Sequence, residues 1–140
     1  MAEVFRARAD CSRSQVAAII YANDDHSELG MGYNGLPRGV PGCATAGNCP
    51  RGRMSYEELA ANTDYSNCAA DHAERNAVND AIRKVGAARL REATIVTTRE
   101  PCPACSTLLK SVGIARIVYP IVHHRSPAYG GDRPLEVVIC

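Results

Sequence analysis

The chain has 140 residues, which predicts a single domain, 1–140, long enough to bury its own core. It carries 16 Lys and Arg against 15 Asp and Glu, a formal net charge of +1, so no charge excess points to a nucleic-acid or membrane partner. With six Tyr, one Phe and no Trp, it has few residues that could form an extensive base-stacking surface. No apolar run approaches the roughly 20 residues of a membrane helix or resembles a signal peptide, so we expect a cytoplasmic protein.

The first half of the chain predicts a β-hairpin followed by irregular backbone and a short helix. Residues 15–22 are apolar and partly β-branched, Asp24 and Asp25 mark a turn, and 28–33 form the return strand. The segment 34–53 is rich in Gly and Pro, which predicts loop structure. A helix is expected over 55–62, because a Ser that can cap it precedes two Glu residues in its first turn.

The second half predicts two helices alternating with strands. The elements are a helix from an N-cap at Asp71 to a stop at Gly86, a strand at 93–98, a helix ending at Gly113, and strands at 115–119 and 135–139. The apolar face of the first helix is predicted to carry Ala73, Ala77, Val78, Ala81, Ile82 and Val85. This order of elements indicates an α/β domain built on a mixed sheet.

Cysteine is unusually frequent, with seven residues in the chain. A reducing cytoplasm disfavours disulfides, and the number is odd. Metal ligation is therefore the leading explanation, and a set of simple buried thiols is the alternative.

Four residues at the starts of two predicted helices form a candidate metal centre. Cys102 and Cys105 lie three apart, so a first helical turn places both thiols on one face, and His72 can supply a third ligand from the other helix. Three protein ligands leave the fourth position of a zinc ion open, as in catalytic sites. Glu74 follows His72 closely enough to act beside the metal without ligating it. The alternatives are a structural zinc with its fourth ligand elsewhere, or two unrelated surface motifs.

The spacing His-x-Glu followed by Pro-Cys-x-x-Cys is typical of zinc deaminases that act on cytosine or adenine. Further segments extend the similarity over about residues 11–120. The chain resembles the deoxycytidylate (dCMP) deaminase branch of the cytidine deaminase superfamily. The segments that carry this resemblance are CSRSQVAAII from position 11, GYNGLPRG at 32–39, HAERNA at 72–77, EPCPAC at 100–105 and SVGIARIVY at 111–119.

This resemblance implies a three-layer α/β/α fold around a mixed five-stranded sheet. It implies hydrolysis of dCMP to dUMP and ammonia, a step of pyrimidine nucleotide metabolism, by a homo-oligomer, either a dimer or a hexamer, in a family often regulated by nucleoside triphosphates. His72, Cys102 and Cys105 would hold the catalytic zinc. Glu74 would take a proton from the attacking water, deliver it to N3 of the pyrimidine and then protonate the leaving ammonia.

Four further residues are candidates for substrate binding. Asn34 matches a family position expected to contact the sugar or base, although Asn34 and Gly35 could instead form a turn with positive φ. Arg38 could bind a 5′-phosphate or simply be solvated. Asn76 could line the pocket or face water. Arg99 could be a phosphate contact or a change of specificity.

The resemblance also suggests a second, structural zinc. Some members of this branch tie the start of the chain, the loop after GYNG and the residues before HAE to a second metal ion. Cys11, Cys43 and Cys68 fall in these regions, and Cys49 offers a fourth thiolate, which would close a tetrahedral site. Alternatively, Cys11 is an inert core thiol. Cys140 is expected to be spare.

Other functions stay open from the sequence. Glu100 before the Pro-Cys pair is more familiar in cytosine and transfer-RNA adenosine deaminases, so a free base, a nucleoside, a modified pyrimidine nucleotide or transfer RNA is an alternative substrate. A zinc-stabilised binding module without turnover is a third reading, which an intact Glu74 disfavours. The tail 120–140 shows no resemblance, and its cluster at 123–125 could touch phosphate or be solvated.

Overall fold

The structure is a computed structural model, and it describes a defined part of the chain. The described residues are 2–9, 11, 15–36, 40–42, 45, 47, 55, 57–58, 71–120 and, by backbone alone, 135–139. The helices and strands within these residues are α1 (Ala2–Phe5), β1 (Ala17–Tyr21), β2 (Glu28–Tyr33), α2 (Ala73–Val85), β3 (Thr94–Thr97), α3 (Pro103–Ser111), β4 (Arg116–Pro120) and β5 (Leu135–Ile139). Short 3-10 turns follow α1 at Arg6–Arg8 and α2 at Ala87–Leu90.

The strands pair in the order β2-β1-β3-β4-β5. β1 is antiparallel to both β2 and β3. β3 and β4 are parallel and are connected by α3, and β4 is antiparallel to β5. The predicted α/β class and the mixed sheet are therefore confirmed. β2 has the bounds predicted from the sequence, and α1 was not predicted.

The core lies between the sheet and its helices. Its fully buried large side chains include Ile20, Leu29, Ile95 and Leu109, one from each of three strands and one from α3. Ala73, Ala77 and Ala81 repeat every four residues along α2 and are all buried, so this helix presents a stripe of small side chains to the sheet.

The predicted apolar face of α2 is wrong at its last turn. Ile82 and Val85 are 40% and 43% exposed. Lys84 pairs with Glu28, the first residue of β2, at 3.5 Å. The last turn of α2 therefore runs beyond the strand that buries the earlier turns.

The predicted N-cap of this helix is also wrong by one residue. His72 is the N-cap, with extended φ and ψ and no side-chain capping bond. Asp71 instead exchanges two backbone hydrogen bonds with Gly35, of 3.1 and 2.9 Å, in an isolated β-bridge. The bridge holds Asp71 in extended backbone, so the helix begins after it.

Only the start of the helix predicted over 55–62 falls on described residues. The N–H of Glu58 donates to Ser55 Oγ at 3.2 Å, and the N–H of Ser55 donates to a carboxylate oxygen of Glu58 at 2.7 Å. This reciprocal pair is a capping box, which supports a helix start at Ser55. None of the described helices has the length and apolar character needed to cross a bilayer.

Candidate active site

The first half of the site is the start of α2. His72 is its N-cap and is half-buried, and Glu74 lies in the first turn. The backbone carbonyl of His72 accepts the N–H of Asn76 at 3.1 Å, the first hydrogen bond of the helix. His72 therefore sits between the bridge at Asp71 and a regular helix, which fixes its backbone on both sides.

The second half of the site is the start of α3. Cys102 is the N-cap, its Sγ accepts the N–H of Cys105 at 3.4 Å, and Pro103 occupies the first turn. Proline suits this position because its fixed φ matches the helix and its missing N–H would be unpaired there. The capping bond holds Cys102 and Cys105 on one side of the helix start, as their spacing predicted.

The two helix starts bring three metal-ligating side chains together. One ligand atom from each of His72, Cys102 and Cys105 lies within 4.8 Å of the others. His72 Nδ1 is 3.5 Å from Cys102 Sγ and 3.3 Å from Cys105 Sγ. Zinc bonds of about 2.1 Å to nitrogen and about 2.3 Å to sulfur, at tetrahedral angles, separate such ligands by roughly 3.6 Å. The donor set and its spacing are compatible with zinc.

The electrostatics of Cys105 also fit a cation. Burial raises the pKa of the Cys105 thiol far above its usual range, and the nearby Glu74 carboxylate and Cys102 raise it further. A thiolate at Cys105 is therefore unfavourable in this environment without a positive charge nearby. A divalent ion offsets this cost, and so do the positive ends of the two helix dipoles, which both start at the site.

Glu74 lies against this ligand set rather than in solvent. It is 4% exposed, and its carboxylate acts on the Cys105 thiol both as a charge and as a hydrogen-bond partner. Ionised carboxylates are rarely buried so deeply unless they are paired or functional. The arrangement can hold a metal ion and place one proton-accepting oxygen group beside it.

Asn34 lies at the end of the β-hairpin that faces α2. Its Oδ1 accepts the N–H of Val16 at 2.8 Å, and its own N–H donates to the Val16 carbonyl at 3.1 Å. Gly35 does not take the positive φ expected of an Asn-Gly turn, so that alternative is wrong. The β-bridge instead pairs Gly35, the residue after Asn34, with Asp71, the residue before His72, so Asn34 lies near the start of α2.

The other predicted substrate residues differ in their surroundings. Asn76 Nδ2 donates to the carbonyl of Tyr33 at 2.8 Å, so this side chain faces β2 rather than water. Arg99 is exposed, and its carbonyl accepts the hydroxyl of Thr97 at 2.6 Å. Arg38 lies outside the described residues. Their contacts with substrate stay predictions.

The predicted second metal site falls largely outside the described residues. Cys11 is described and half-buried, whereas Cys43, Cys49 and Cys68 are not described. Within the described part of the chain, His72, Cys102 and Cys105 are the group that could hold a metal ion.

The sequence interpretation missed Thr98. Its Oγ1 accepts the N–H of Ala17 at 3.1 Å, and its own N–H donates to the Ala17 carbonyl at 3.0 Å. Thr98 is 8% exposed and directly follows β3, four residues before Cys102. The sequence signal for this role was a threonine next to a predicted strand end, because its hydroxyl can accept a backbone N–H that has no carbonyl partner there.

Together the mixed sheet and the His/Cys/Cys group at two helix starts define an α/β protein with a ligand set compatible with zinc and a buried carboxylate beside it. The chain belongs to the family described as the cytidine and deoxycytidylate deaminase zinc-binding region, whose sequence profile matches residues 1–121. The resemblance seen in the sequence is thereby confirmed.

Individual relatives agree with this assignment. The deoxycytidylate deaminase of Mycobacterium phage D29 is 44% identical over 117 residues, which cover 81% of this chain and 83% of that protein. The crystal structure of the dCMP deaminase from cyanophage S-TIM5 in complex with dCMP and dUMP matches with a TM-score of 0.63 and 26% identity, over 84% of this chain and 74% of that chain. A tRNA-specific adenosine deaminase of Streptococcus pyogenes is 39% identical over 89 residues, covering 64% of this chain and 50% of that protein.

Proposed function

We propose that this protein is a zinc-dependent hydrolase that deaminates dCMP to dUMP and releases ammonia. One observation carries the proposal: His72, Cys102 and Cys105 converge beside the buried carboxylate of Glu74, in a chain 44% identical to a deoxycytidylate deaminase over 81% of its length. This donor set leaves room for water and substrate at the metal.

Glu74 is proposed as the group that moves protons. It accepts a proton from a water molecule and passes it to N3 of the pyrimidine while the water oxygen bonds to C4. It then transfers the remaining hydroxyl proton to the amino group, the C4–N bond breaks, and ammonia leaves. When bound, zinc supplies a Lewis acid that makes water acidic enough to react near neutral pH. Because it is buried, Glu74 can serve as base and then as acid at one place.

The nucleotide contacts are proposed from the sequence and from what surrounds them. Asn34 is carried to the start of α2 and is proposed to contact the sugar or base, with Asn76 as a further pocket residue. Arg38 and Arg99 are proposed to bind the 5′-phosphate, since a guanidinium forms paired hydrogen bonds with phosphate oxygens. Arg99 is exposed on the segment that leads to Cys102, where a nucleotide phosphate could approach.

The proposal also covers the domain organisation, the assembly and the location of the protein. We propose a single domain with the three-layer α/β/α arrangement around a five-stranded sheet, working as a cytoplasmic homo-oligomer without a membrane partner. The net charge of +1 gives little attraction for polyanions, so transfer RNA is a weaker candidate substrate than a free nucleotide.

A second zinc held by Cys11, Cys43, Cys49 and Cys68 is also proposed. Four thiolates would close a structural site and would order the Gly- and Pro-rich segment that follows β2. Metal analysis of the purified protein tests this idea. We expect two zinc ions per chain, falling to one in Cys43→Ser. One zinc per chain that is unchanged by Cys43→Ser would contradict it.

The function is tested with a substrate panel and one matched pair of variants. Purified zinc-loaded protein is offered dCMP, CMP, deoxycytidine, cytosine and guanine, and ammonia release and the loss of cytosine absorbance are followed. We expect turnover of dCMP above all others. Glu74→Gln should keep its zinc but lose about 100-fold or more of kcat, whereas Glu3→Gln, which changes an exposed glutamate of α1, should match the parent.

Three outcomes would count against parts of this proposal. Turnover of unphosphorylated substrates alone would reject the nucleotide but keep the chemistry. Activity of Glu74→Gln within tenfold of the parent would reject the role of Glu74. Binding of transfer RNA or single-stranded DNA in a gel-shift experiment would favour the nucleic-acid alternative.

A further inference from the structure

Helix α2 meets β2 through three side chains spaced four residues apart. Asn76 Nδ2 donates to the carbonyl of Tyr33 at 2.8 Å. Asp80 accepts the backbone N–H of Met31 at 3.0 Å, and Lys84 pairs with the carboxylate of Glu28 at 3.5 Å. The helix and the strand therefore run antiparallel, with successive helical turns matched to successive positions along β2.

The spacing of the two contacts to the β2 backbone matches the geometry of both elements. Four helical residues rise about 6 Å. Two strand residues advance about 6.8 Å. Asn76 and Asp80 can therefore bond to Tyr33 and Met31 at the same time without bending either element.

Both contacts use backbone groups of an edge strand. β2 ends the strand order, so one side of its backbone has no neighbour among the described strands. Met31 and Tyr33 lie two apart and pair with Ile19 and Ala17 of β1. Edge groups of this kind are normally left to water or covered by another element. Here two side chains of α2 satisfy them.

Glycines in β2 set the distance between the two elements. A Cβ atom at Gly30 would lie 2.5 Å from the carbonyl oxygen of Ala77 and 2.6 Å from the nitrogen of Ala81. The backbones are therefore in direct contact, and little space is left for adjustment. The small residues set how close α2 lies to β2, and the polar pair contacts the strand at two positions along its length.

We propose that Asn76 and Asp80 are positioning residues that fix α2 along its axis, and so place His72 and Glu74 against the two cysteines of α3. The proposal rests on the proposed function. His72 and Glu74 sit at the end of this rigid helix, whereas Cys102 and Cys105 belong to another. A shift of α2 along its axis therefore changes the separations between His72 Nδ1 and the two cysteine Sγ atoms directly. Catalytic and metal sites function only when their side chains stay within about 0.5 Å of the productive geometry.

Asp80 separates positioning from substrate contact. It lies six residues after Glu74, which places it roughly 9 Å further along the helix axis, toward the end of α2 that is distant from the site. Its carboxylate is occupied by the Met31 N–H, by Lys84 at 2.8 Å and by Arg83 at 3.5 Å. An effect of Asp80 on the metal centre would therefore be transmitted through the position of α2.

The test compares Asn76→Ala, Asp80→Ala and Asp80→Asn with the parent and with Asn79→Ala. Asn79 is an exposed asparagine on the same helix and is the matched control. Each protein is examined by urea unfolding, by the visible spectrum of its cobalt-substituted form, and by kcat and KM for dCMP at a temperature where it is fully folded.

We expect Asn76→Ala and Asp80→Ala to shift the cobalt bands and to lower kcat about 10- to 100-fold with KM changed less than about twofold. Asp80→Asn keeps an oxygen that can accept the Met31 N–H. Its cobalt bands should therefore match those of the parent, and its kcat should stay within about threefold of the parental value. Asn79→Ala should match the parent in every measurement.

An unchanged cobalt spectrum together with an unchanged kcat in Asp80→Ala would overturn the proposal. A rise in KM alone in Asn76→Ala, with parental cobalt bands, would identify Asn76 as a substrate contact instead. If Asp80→Ala does not fold, Asn76→Asp replaces it, because an oxygen in place of the donor repels the Tyr33 carbonyl. The cobalt spectrum needs no substrate, so it decides the positioning role even if dCMP is not turned over.

Discussion

Gly32 of β2 lies directly against Ala73, the first residue of α2. A Cβ atom at position 32 would overlap the carbonyl oxygen of Ala73 and the nitrogen of Ala77, and would lie 2.8 Å from the carbonyl carbon of Asn76. All three are backbone atoms, which cannot move without moving the helix. The turn of α2 that carries His72 and Glu74 can therefore reach the sheet only because position 32 has no side chain.

Gly32→Ala is accordingly expected to push the start of α2 away from β2. The expected cost is about 1–3 kcal/mol of unfolding free energy, together with a marked loss of activity, because the added methyl group has nowhere to go. Gly35→Ala is the control, since its nearest neighbours are side-chain atoms of Tyr33 at 3.7 and 3.8 Å. Urea unfolding of both variants measures the difference. A Gly32→Ala protein as stable as Gly35→Ala would contradict the close contact.

Removal of one thiolate should release the metal. We expect Cys105→Ser to keep less than about a tenth of the zinc at the proposed catalytic centre after dialysis, because a hydroxyl is a far weaker ligand for this ion than a thiolate. Cys140→Ser removes a cysteine predicted to be spare and should keep the full metal content. Metal analysis of both proteins by mass spectrometry checks this, and equal zinc in the two variants would remove Cys105 from the ligand set.

Thr98→Val tests the contact made by the residue that follows β3. Valine keeps the branched shape but removes the oxygen that accepts the Ala17 N–H at 3.1 Å, which leaves a buried donor without that partner. The expected loss is about 1–3 kcal/mol of unfolding free energy. Thr107→Val is the matched control: the Thr107 hydroxyl donates to the Pro103 carbonyl at 3.0 Å on an exposed part of α3, and its loss should cost about 0.5 kcal/mol or less. Equal stability of the two variants would argue against the role of Thr98.

Asp80 gives stability a defined pH dependence. Partial burial acts to raise the pKa of its carboxyl, but hydrogen bonds from Lys84 and the Met31 N–H, with the charges of Lys84 and Arg83, lower it below the usual 3.8. A lowered pKa in the folded state contributes stability that is complete above the unfolded pKa and lost as pH falls through the folded one.

The parent should therefore be more stable than Asp80→Asn near neutral pH, and the difference should shrink as the pH falls below 3.8. Urea unfolding of metal-free protein measures it, so that protonation of metal ligands plays no part. A difference that stays constant down to about pH 2.5 would show that the charge of Asp80 is not its source.

Much of the fold could be predicted because its signals are local. β2 has the bounds predicted for the return strand of a hairpin, β5 has those predicted from its apolar residues, and Gly86, with φ of 87°, ends α2 where the sequence indicated. The errors arose where a distant partner decided the outcome. Asp71 is an excellent capping residue by type, but its bridge to Gly35 moves the cap to His72. Ile82 and Val85 fit the helical period, but none of the described strands buries the last turn, where they are 40% and 43% exposed.

For the site, the sequence by itself predicted the ligand set: the spacings of His72, Cys102 and Cys105 indicated a metal centre at two helix starts, with Glu74 beside it, and the structure brings the three ligands together. The sequence could not determine how the two helices are held in register, because the residues responsible are chemically ordinary. Gly32, Asn76, Asp80 and Thr98 act through backbone atoms of other elements, and such partners exist only after the sheet has formed. The types of ligand can be read from the sequence. The separations of 3.3 and 3.5 Å between His72 Nδ1 and the two cysteine Sγ atoms depend on packing between segments that are far apart in the sequence.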